Sequence, residues 1–259
     1  MALRLISRLD VKMAHLIKGV QMEGWRKMGD PKDRAKRYYA DGADEILYID
    51  VVASLYERNN LHDIVRDVAS ETFVPITVGG GISDLVSAKA LMDVGADKLA
   101  INTAATKRPE LLRELSDTFG SQAVVLNIEA KSLPGGGWTV MTDNGRNHTG
   151  LDAISWAADA PGRGVGEILI TSIDCDGTGR GMDLDLISAV TKEVDIPVIA
   201  SGGCATAVHA LDATRNGASA VALARALHSD NLTLGELRRE LQAAGLNIRP
   251  LPSRQLANV

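Results

Sequence analysis

Short runs of aliphatic and β-branched residues alternate along the chain with segments whose apolar positions recur at helical spacing. The runs fall at residues 3–9, 45–49, 74–78, 98–101, 123–128, 167–171, 196–200 and 220–223, and predict eight strands. Helical spacing fills 31–41, 61–71, 84–94, 109–119, 151–158, 184–193, 206–216 and 233–244. Pro31 and Pro109 stand where helices start, Asp84 and Thr233 offer side-chain caps, and Gly42, Gly95, Gly217 and Gly245 stand where helices stop. Eight such units without a break in composition predict one α/β domain over residues 1–259, a single (β/α)8 TIM barrel rather than an open sheet.

The two halves of the chain resemble each other. Val74-Pro75, Gly80-Gly81 and Gly95-Ala96 recur as Ile196-Pro197, Gly202-Gly203 and Gly217-Ala218, each at an offset of 122. Glu45-Ile46-Leu47 recurs as Glu167-Ile168-Leu169 at the same offset, and a three-residue gap aligns Leu9-Asp10-Val11-Lys12 with Ile128-Glu129-Ala130-Lys131. A two-fold repeat of half-barrels, approximately 1–122 and 123–259, is the expected origin of these matches.

Composition narrows the function classes. With 45% hydrophobic and 24% charged residues in 259, the chain is too apolar for disorder and long enough for a large core. A net charge of −5, with both signs interspersed, builds no one-sided positive field, so neither nucleic acid nor an anionic membrane is an expected partner. Two cysteines and five histidines show no ligand spacing, so no metal and no cofactor are expected. No apolar run is long enough to cross a bilayer, and Arg4 and Arg8 interrupt the place of a signal peptide's apolar stretch, which points to a cytoplasmic protein.

In such a barrel the chemistry gathers at the C-terminal ends of the strands. Gly80 and Gly81 follow the third strand, and Asn102 and Thr103 the fourth. Glycine lets backbone N–H groups approach an anion and threonine adds a hydroxyl, so this is a candidate phosphate cradle. Asp176, Gly177 and Thr178 after the sixth strand, Ser201, Gly202 and Gly203 after the seventh, and Ala224 and Arg225 after the eighth form a second cradle related by the repeat. A ligand with two phosphates is expected; the structural alternative is that both Gly-Gly pairs are tight turns. Between the cradles, Asp10 and Glu129 end the first and fifth strands, each followed two residues later by a lysine, Lys12 and Lys131. Facing carboxylates suit general acid and base work, unless each simply pairs with its neighbouring lysine.

These residues resemble the cyclase subunit of imidazole glycerol phosphate synthase over nearly the whole chain. The matching motifs include Leu9-Asp10-Val11-Lys12, Lys18-Gly19, Gly29-Asp30-Pro31, Gly42-Ala43-Asp44-Glu45, Val78-Gly79-Gly80-Gly81-Ile82, Gly95-Ala96-Asp97-Lys98, Asn102-Thr103-Ala104-Ala105 and Ala200-Ser201-Gly202-Gly203. The resemblance implies a barrel that uses ammonia from a separate glutaminase to cleave and cyclise a ribulosyl-formimino aminoimidazole carboxamide ribotide, a bisphosphate, in histidine biosynthesis. It makes Asp10 and Glu129 the catalytic pair, and Lys18, Asp50 and Thr171 further substrate contacts. It also implies an ammonia gate of Arg4, Glu45, Lys98 and Glu167 at the N-terminal ends of strands, with the glutaminase docking near Asp44 and Asp97.

Departures from the family pattern cluster at the site. Glu129 replaces an aspartate, Arg8 replaces a cysteine, Met13-Ala14-His15 replaces an Asp-Gly-Arg turn, and Met22 replaces an aromatic. The same drift is similar to paralogous barrels that support amidation of a sugar in polysaccharide biosynthesis. A non-catalytic subunit that activates a glutaminase is the third expectation.

Overall fold

A computed structural model describes residues 2–53 and 61–251. Twelve strands occur among them: β1 (Arg4–Lys12), β2 (His15–Val20), β3 (Glu23–Gly29), β4 (Glu45–Asp50), β5 (Ile76–Gly79), β6 (Lys98–Ile101), β7 (Val124–Ser132), β8 (Trp138–Thr142), β9 (Asn147–Asp152), β10 (Glu167–Ser172), β11 (Val198–Ser201) and β12 (Ala220–Leu223). The eight expected strands, β1, β4, β5, β6, β7, β10, β11 and β12, are all parallel and close on themselves, β7 pairing β10 and β12 pairing β1. Helices follow the barrel strands, so the chain is a (β/α)8 barrel.

The remaining four strands are two antiparallel hairpins that the sequence reading did not contain. β1 runs on past residue 9 and turns back into β2, pairing Asp10 with Ile17; β7 runs on past 128 into β8, pairing Glu129 with Met141. Both hairpins therefore rise from the strands that carry the two carboxylates. β9 also displaces the expected start of a helix: residues 151 and 152 are strand, and helix Ala153–Asp159 begins only where the Asp152 side chain accepts from the Ser155 N–H at 2.8 Å. β5 and β11 start after Pro75 and Pro197, which cannot donate to a ladder, rather than at 74 and 196.

Helix starts follow the local chemistry. Asp30 accepts from the N–H groups of Lys32 and Asp33 ahead of Pro31, and Asp84 with Ser87, and Thr233 with Glu236, form reciprocal capping boxes. Two short helices, Thr103–Lys107 and Arg225–His228, were not expected and follow β6 and β12 at the two candidate cradles.

Alternation along each strand divides the interior into two layers. On β1, Leu5, Leu9 and Val11 pack outward against the helices, whereas Arg4, Ile6, Arg8 and Asp10 turn toward the barrel axis. The axis is lined by an apolar cluster containing Ile6, Leu47, Ile49, Ala100, Val125, Leu169, Ile199 and Ala222.

The loop after β5 is constrained by close packing. A Cβ on Gly80, whose φ is 99°, would lie 2.2 Å from the Asp50 carbonyl oxygen, whereas one on Gly136, at a φ of 91°, would meet nothing within 4 Å. Gly136→Ala should cost about 1 kcal/mol from the left-handed backbone alone. Gly80→Ala should cost about 3 kcal/mol because the clash adds to that strain. Urea denaturation of the two variants checks this; equal losses would show that Gly80 is needed only for its φ.

Candidate active site

At the N-terminal end of the barrel, Arg4 and Lys98 alternate with Glu45 and Glu167 in a closed ring. Arg4 pairs with Glu45 at 3.0 Å and also with Glu167, and Lys98 reaches Glu45 at 2.9 Å and Glu167 at 2.8 Å. Thr77 donates its hydroxyl to Glu45 at 2.5 Å. All four expected gate residues thus meet at one place, across the axis from the candidate chemistry. Of the two neighbouring aspartates, Asp44 is consumed within the chain: it accepts from the Leu5 N–H at 2.9 Å and from Arg238 and Arg249 at 2.7 Å each. Asp97 accepts from the Ile76 N–H at 2.8 Å and stays exposed.

At the opposite end, four buried charges form a second neutral cluster. Arg8 Nε donates to Asp10 at 2.8 Å, Lys18 Nζ donates to Asp10 and to Asp176 at 2.9 Å, and Arg8 Nη1 reaches Thr171 at 2.9 Å and Ser201 at 3.1 Å. The guanidinium crosses from β1 to β10 and β11, beneath the barrel mouth. Neither Lys12 nor Lys131 partners the carboxylates: Lys12 lies 5.0 Å above the Trp25 ring, and Lys131 pairs with Asp174. The structural alternative of neighbouring-lysine pairs is therefore replaced by a longer-range network.

This network separates the two carboxylates chemically. Burial pushes Asp10 up, but the Arg8 guanidinium and the Lys18 ammonium outweigh it and hold its carboxyl well below the usual carboxylate range. Glu129 stands outside the balanced cluster. Burial pushes it up to about 7, against the opposing pull of Arg8 and of the Gly145 N–H, which donates to it at 2.9 Å. Asp10 and Glu129 are thus not two equivalent groups: one is a fixed anion and the other exchanges its proton near neutrality.

Two cavities open at the mouth. The larger, about 510 Å³, is lined by Asp50, Gly80, Gly81, Asn102, Thr103 and Glu129 from the sequence-derived set. The smaller, about 260 Å³, is lined by Lys18, Asp176, Gly177, Thr178, Ser201, Gly202, Gly203, Ala224 and Arg225. The two expected residue sets therefore line separate concavities, and Lys18, which lines the smaller one, bonds Asp10. Some expected donors are engaged already: Thr178 donates to the Cys175 carbonyl at 2.7 Å, and Arg225 donates to the Gly177 carbonyl. Asp50 accepts from the Val52 N–H at 3.0 Å.

The sequence reading missed Asn127, Lys107, Asp143 and Asn144, all in the larger cavity, and the place of Arg8 in the site. Arg8 and Asn127 had a signal: each stands two residues before a candidate carboxylate, on the same face of its strand. Asp143 and Asn144 had none, because they sit in the turn of the unforeseen β8–β9 hairpin.

A family model described as "Histidine biosynthesis protein" matches residues 4–233. The chain belongs to this family. A Legionella pneumophila protein named imidazole glycerol phosphate synthase subunit HisF is 58% identical over 200 residues, covering 77% of this chain and 94% of that protein. Proteins of the same name from Beutenbergia cavernae and Nocardia farcinica are 45% and 44% identical, each over 96% of this chain and 99% of its own length. Among the described residues, no helix is long and apolar enough to cross a membrane.

Raising the Glu129 pKa from its usual 4.5 to about 7 ties stability to pH. Between these values the folded state binds the extra proton, so stability falls as pH rises through the window and the loss is complete above it. Glu129→Gln, which mimics the neutral acid, should gain on the native protein across the same window, by about 3 kcal/mol at pH 8 compared with pH 4. Denaturant titrations of both proteins at several pH values check this; a difference independent of pH would show that Glu129 ionises normally.

Proposed function

We propose that the chain is the cyclase subunit of imidazole glycerol phosphate synthase, a lyase in a glutamine amidotransferase complex. It converts the ribulosyl-formimino aminoimidazole carboxamide ribotide bisphosphate and ammonia to imidazole glycerol phosphate, aminoimidazole carboxamide ribotide and water, the carbonyl oxygen that nitrogen replaces leaving as the water. The observation that carries this reading is the pair of separate glycine-lined cavities with Glu129 and the Asp10–Lys18 pair between them. A bisphosphate held at both ends sets its reacting centre beside the two carboxylates.

One phosphate rests on Gly80, Gly81, Asn102 and Thr103, with Lys107 as the nearby cation. The other rests on Gly177, Thr178, Gly202, Gly203, Ala224 and Arg225, beside Asp176 and Ser201. Asp10 stays ionised and stabilises positive charge that develops on nitrogen. Glu129 moves the proton, taking one from the attacking ammonia and giving one to the leaving amine. Asp50, which lines the larger cavity, orients the substrate there, whereas Thr171, expected as a substrate contact, is fully buried, lines neither cavity and holds the Arg8 guanidinium instead. Ammonia enters through the Arg4–Glu45–Lys98–Glu167 ring and passes the apolar axis. A separate glutaminase docks on that N-terminal face near Asp97, with Asp44 fixing the floor of the contact. The halves about 1–122 and 123–259 supply one phosphate cradle each, as duplicated half-barrels of one domain would.

A second reading is favoured by Arg8, whose guanidinium lies across the axis below Asp10. With Glu129 one methylene longer than the family aspartate, the barrel would then pass ammonia to a different acceptor, a sugar undergoing amidation.

Purified chain with ammonium salt and the bisphosphate should turn over without a partner, whereas glutamine should support turnover only with a glutaminase present. Glu129→Gln and Asp10→Asn should each lower turnover by about 10²–10⁴ while bisphosphate affinity stays nearly constant. Absence of ammonium-driven turnover in the native chain, with activity appearing in Glu129→Asp, would favour the sugar-amidation reading.

A further inference from the structure

Asn127 faces the barrel axis on β7, two residues before Glu129 and at the position that the repeat pairs with Arg8. Its side chain is buried, at 4% exposure, and among the described residues its Oδ1 has no hydrogen-bond partner. A buried amide carbonyl left so is costly in a well-packed interior, and an N–H donor is the chemistry that would relieve it. Arg8, by contrast, already bonds Asp10, Thr171 and Ser201.

The surroundings say from where such a donor comes. Ile49 and Ala100 belong to the apolar axis and also line the larger cavity, with Asn127 beside them. The axis therefore opens into that cavity on the β4–β7 side. On the other side Ala222 borders the smaller cavity, where the Arg8 guanidinium bonds Ser201 and Lys18 lines the wall. The polar group at the open junction is Asn127.

We propose that the side-chain amide of Asn127 receives ammonia where the apolar axis opens into the larger cavity. An ammonia N–H donates to Oδ1, leaving the nitrogen lone pair free for the reacting carbon above. Residues two apart on a strand are about 7 Å apart, so ammonia held here waits one layer beneath the Glu129 carboxyl. The apolar axis that leads to it would strip a charged ammonium of water without a counter-ion, so ammonia reaches the site in its neutral form. This rests on the reading that the barrel uses ammonia, and it makes Asn127 a positioning residue rather than a group that moves protons.

The test uses Asn127→Leu, with Asn127→Ala should the larger side chain prevent folding. In the ammonium-driven reaction the KM for ammonium should rise about tenfold, the scale of one lost hydrogen bond, while the bisphosphate KM and the rate at saturating ammonium hold. A second measurement needs no turnover: the Asn127 side-chain amide signal in nitrogen-labelled native protein, assigned by its loss in Asn127→Ala. It should move saturably with ammonium at mildly alkaline pH and not with equal sodium. A rise confined to the bisphosphate KM would overturn the proposal by making Asn127 a substrate contact, and an unmoved signal with an unchanged ammonium KM would overturn it outright. A saturable shift in a chain that fails to turn over the bisphosphate would uphold the ammonia site while removing the histidine-pathway reading.

Discussion

Charge inside the barrel has to be balanced where it stands, because the low-dielectric interior gives an unpaired ion no solvent to fall back on. The protein meets this at both ends of its axis with the same arrangement, two cations alternating with two carboxylates: Arg4, Lys98, Glu45 and Glu167 below, Arg8, Lys18, Asp10 and Asp176 above. Glu129, buried beside that cluster, forms no ion pair among the described residues, so it relieves the burial of its charge by holding a proton. Its readiness to exchange that proton near neutrality follows from its burial, which the pull of Arg8, already turned to Asp10, does not offset.

Everything at the mouth is arranged around that upper cluster. Lys18 joins Asp10 to the wall of the smaller cavity, Arg8 joins it to β10 and β11, and the larger cavity is left to Glu129. Removing one member would strand another as an uncompensated buried charge, so substitutions here act on stability and chemistry together. The hairpins extend the same logic. β2 brings Lys18 back over Asp10, and the β8–β9 turn brings the Gly145 N–H to Glu129, so each carboxylate is tuned by the hairpin rising from its own strand.

The barrel was legible in the sequence because its strands, buried on both faces, read as continuous aliphatic runs, and because the repeat fixed their spacing. The ring of Arg4, Glu45, Lys98 and Glu167 followed from strand starts and resemblance. The hairpins were not legible, since β3 and β9 are mostly exposed and carry no clear apolar alternation to set them apart from loops. Nor could spacing reveal that Lys18, eight residues from Asp10, would bond it in preference to Lys12 two residues away. That choice is made by the tight turn after β1, with Met13 at a φ of 57°, which pairs Asp10 with Ile17 and sets Lys18 beside it. Asp44 shows the opposite limit: the sequence places it correctly at a strand start, but only the fold shows Arg238 and Arg249 closing on it.

The repeat gives the two halves one scaffold, but the residues that carry the chemistry break the symmetry. Asp10 and Glu129 are repeat mates, as are Arg8 and Asn127, and in each pair the first half holds a fixed charge where the second holds a group that is uncharged or exchanges its proton near neutrality. Substrate, ammonia and proton need different surroundings, and a symmetric mouth would offer each of them the same one twice. Both cations of the upper cluster stand on the first half, so the second half keeps the buried groups without a fixed charge, while a glycine-lined concavity opens on each half. The asymmetry of these four side chains, set into a symmetric barrel, is what makes the two sides of its mouth chemically different, and it is the feature on which the proposed route from the axis toward Glu129 depends.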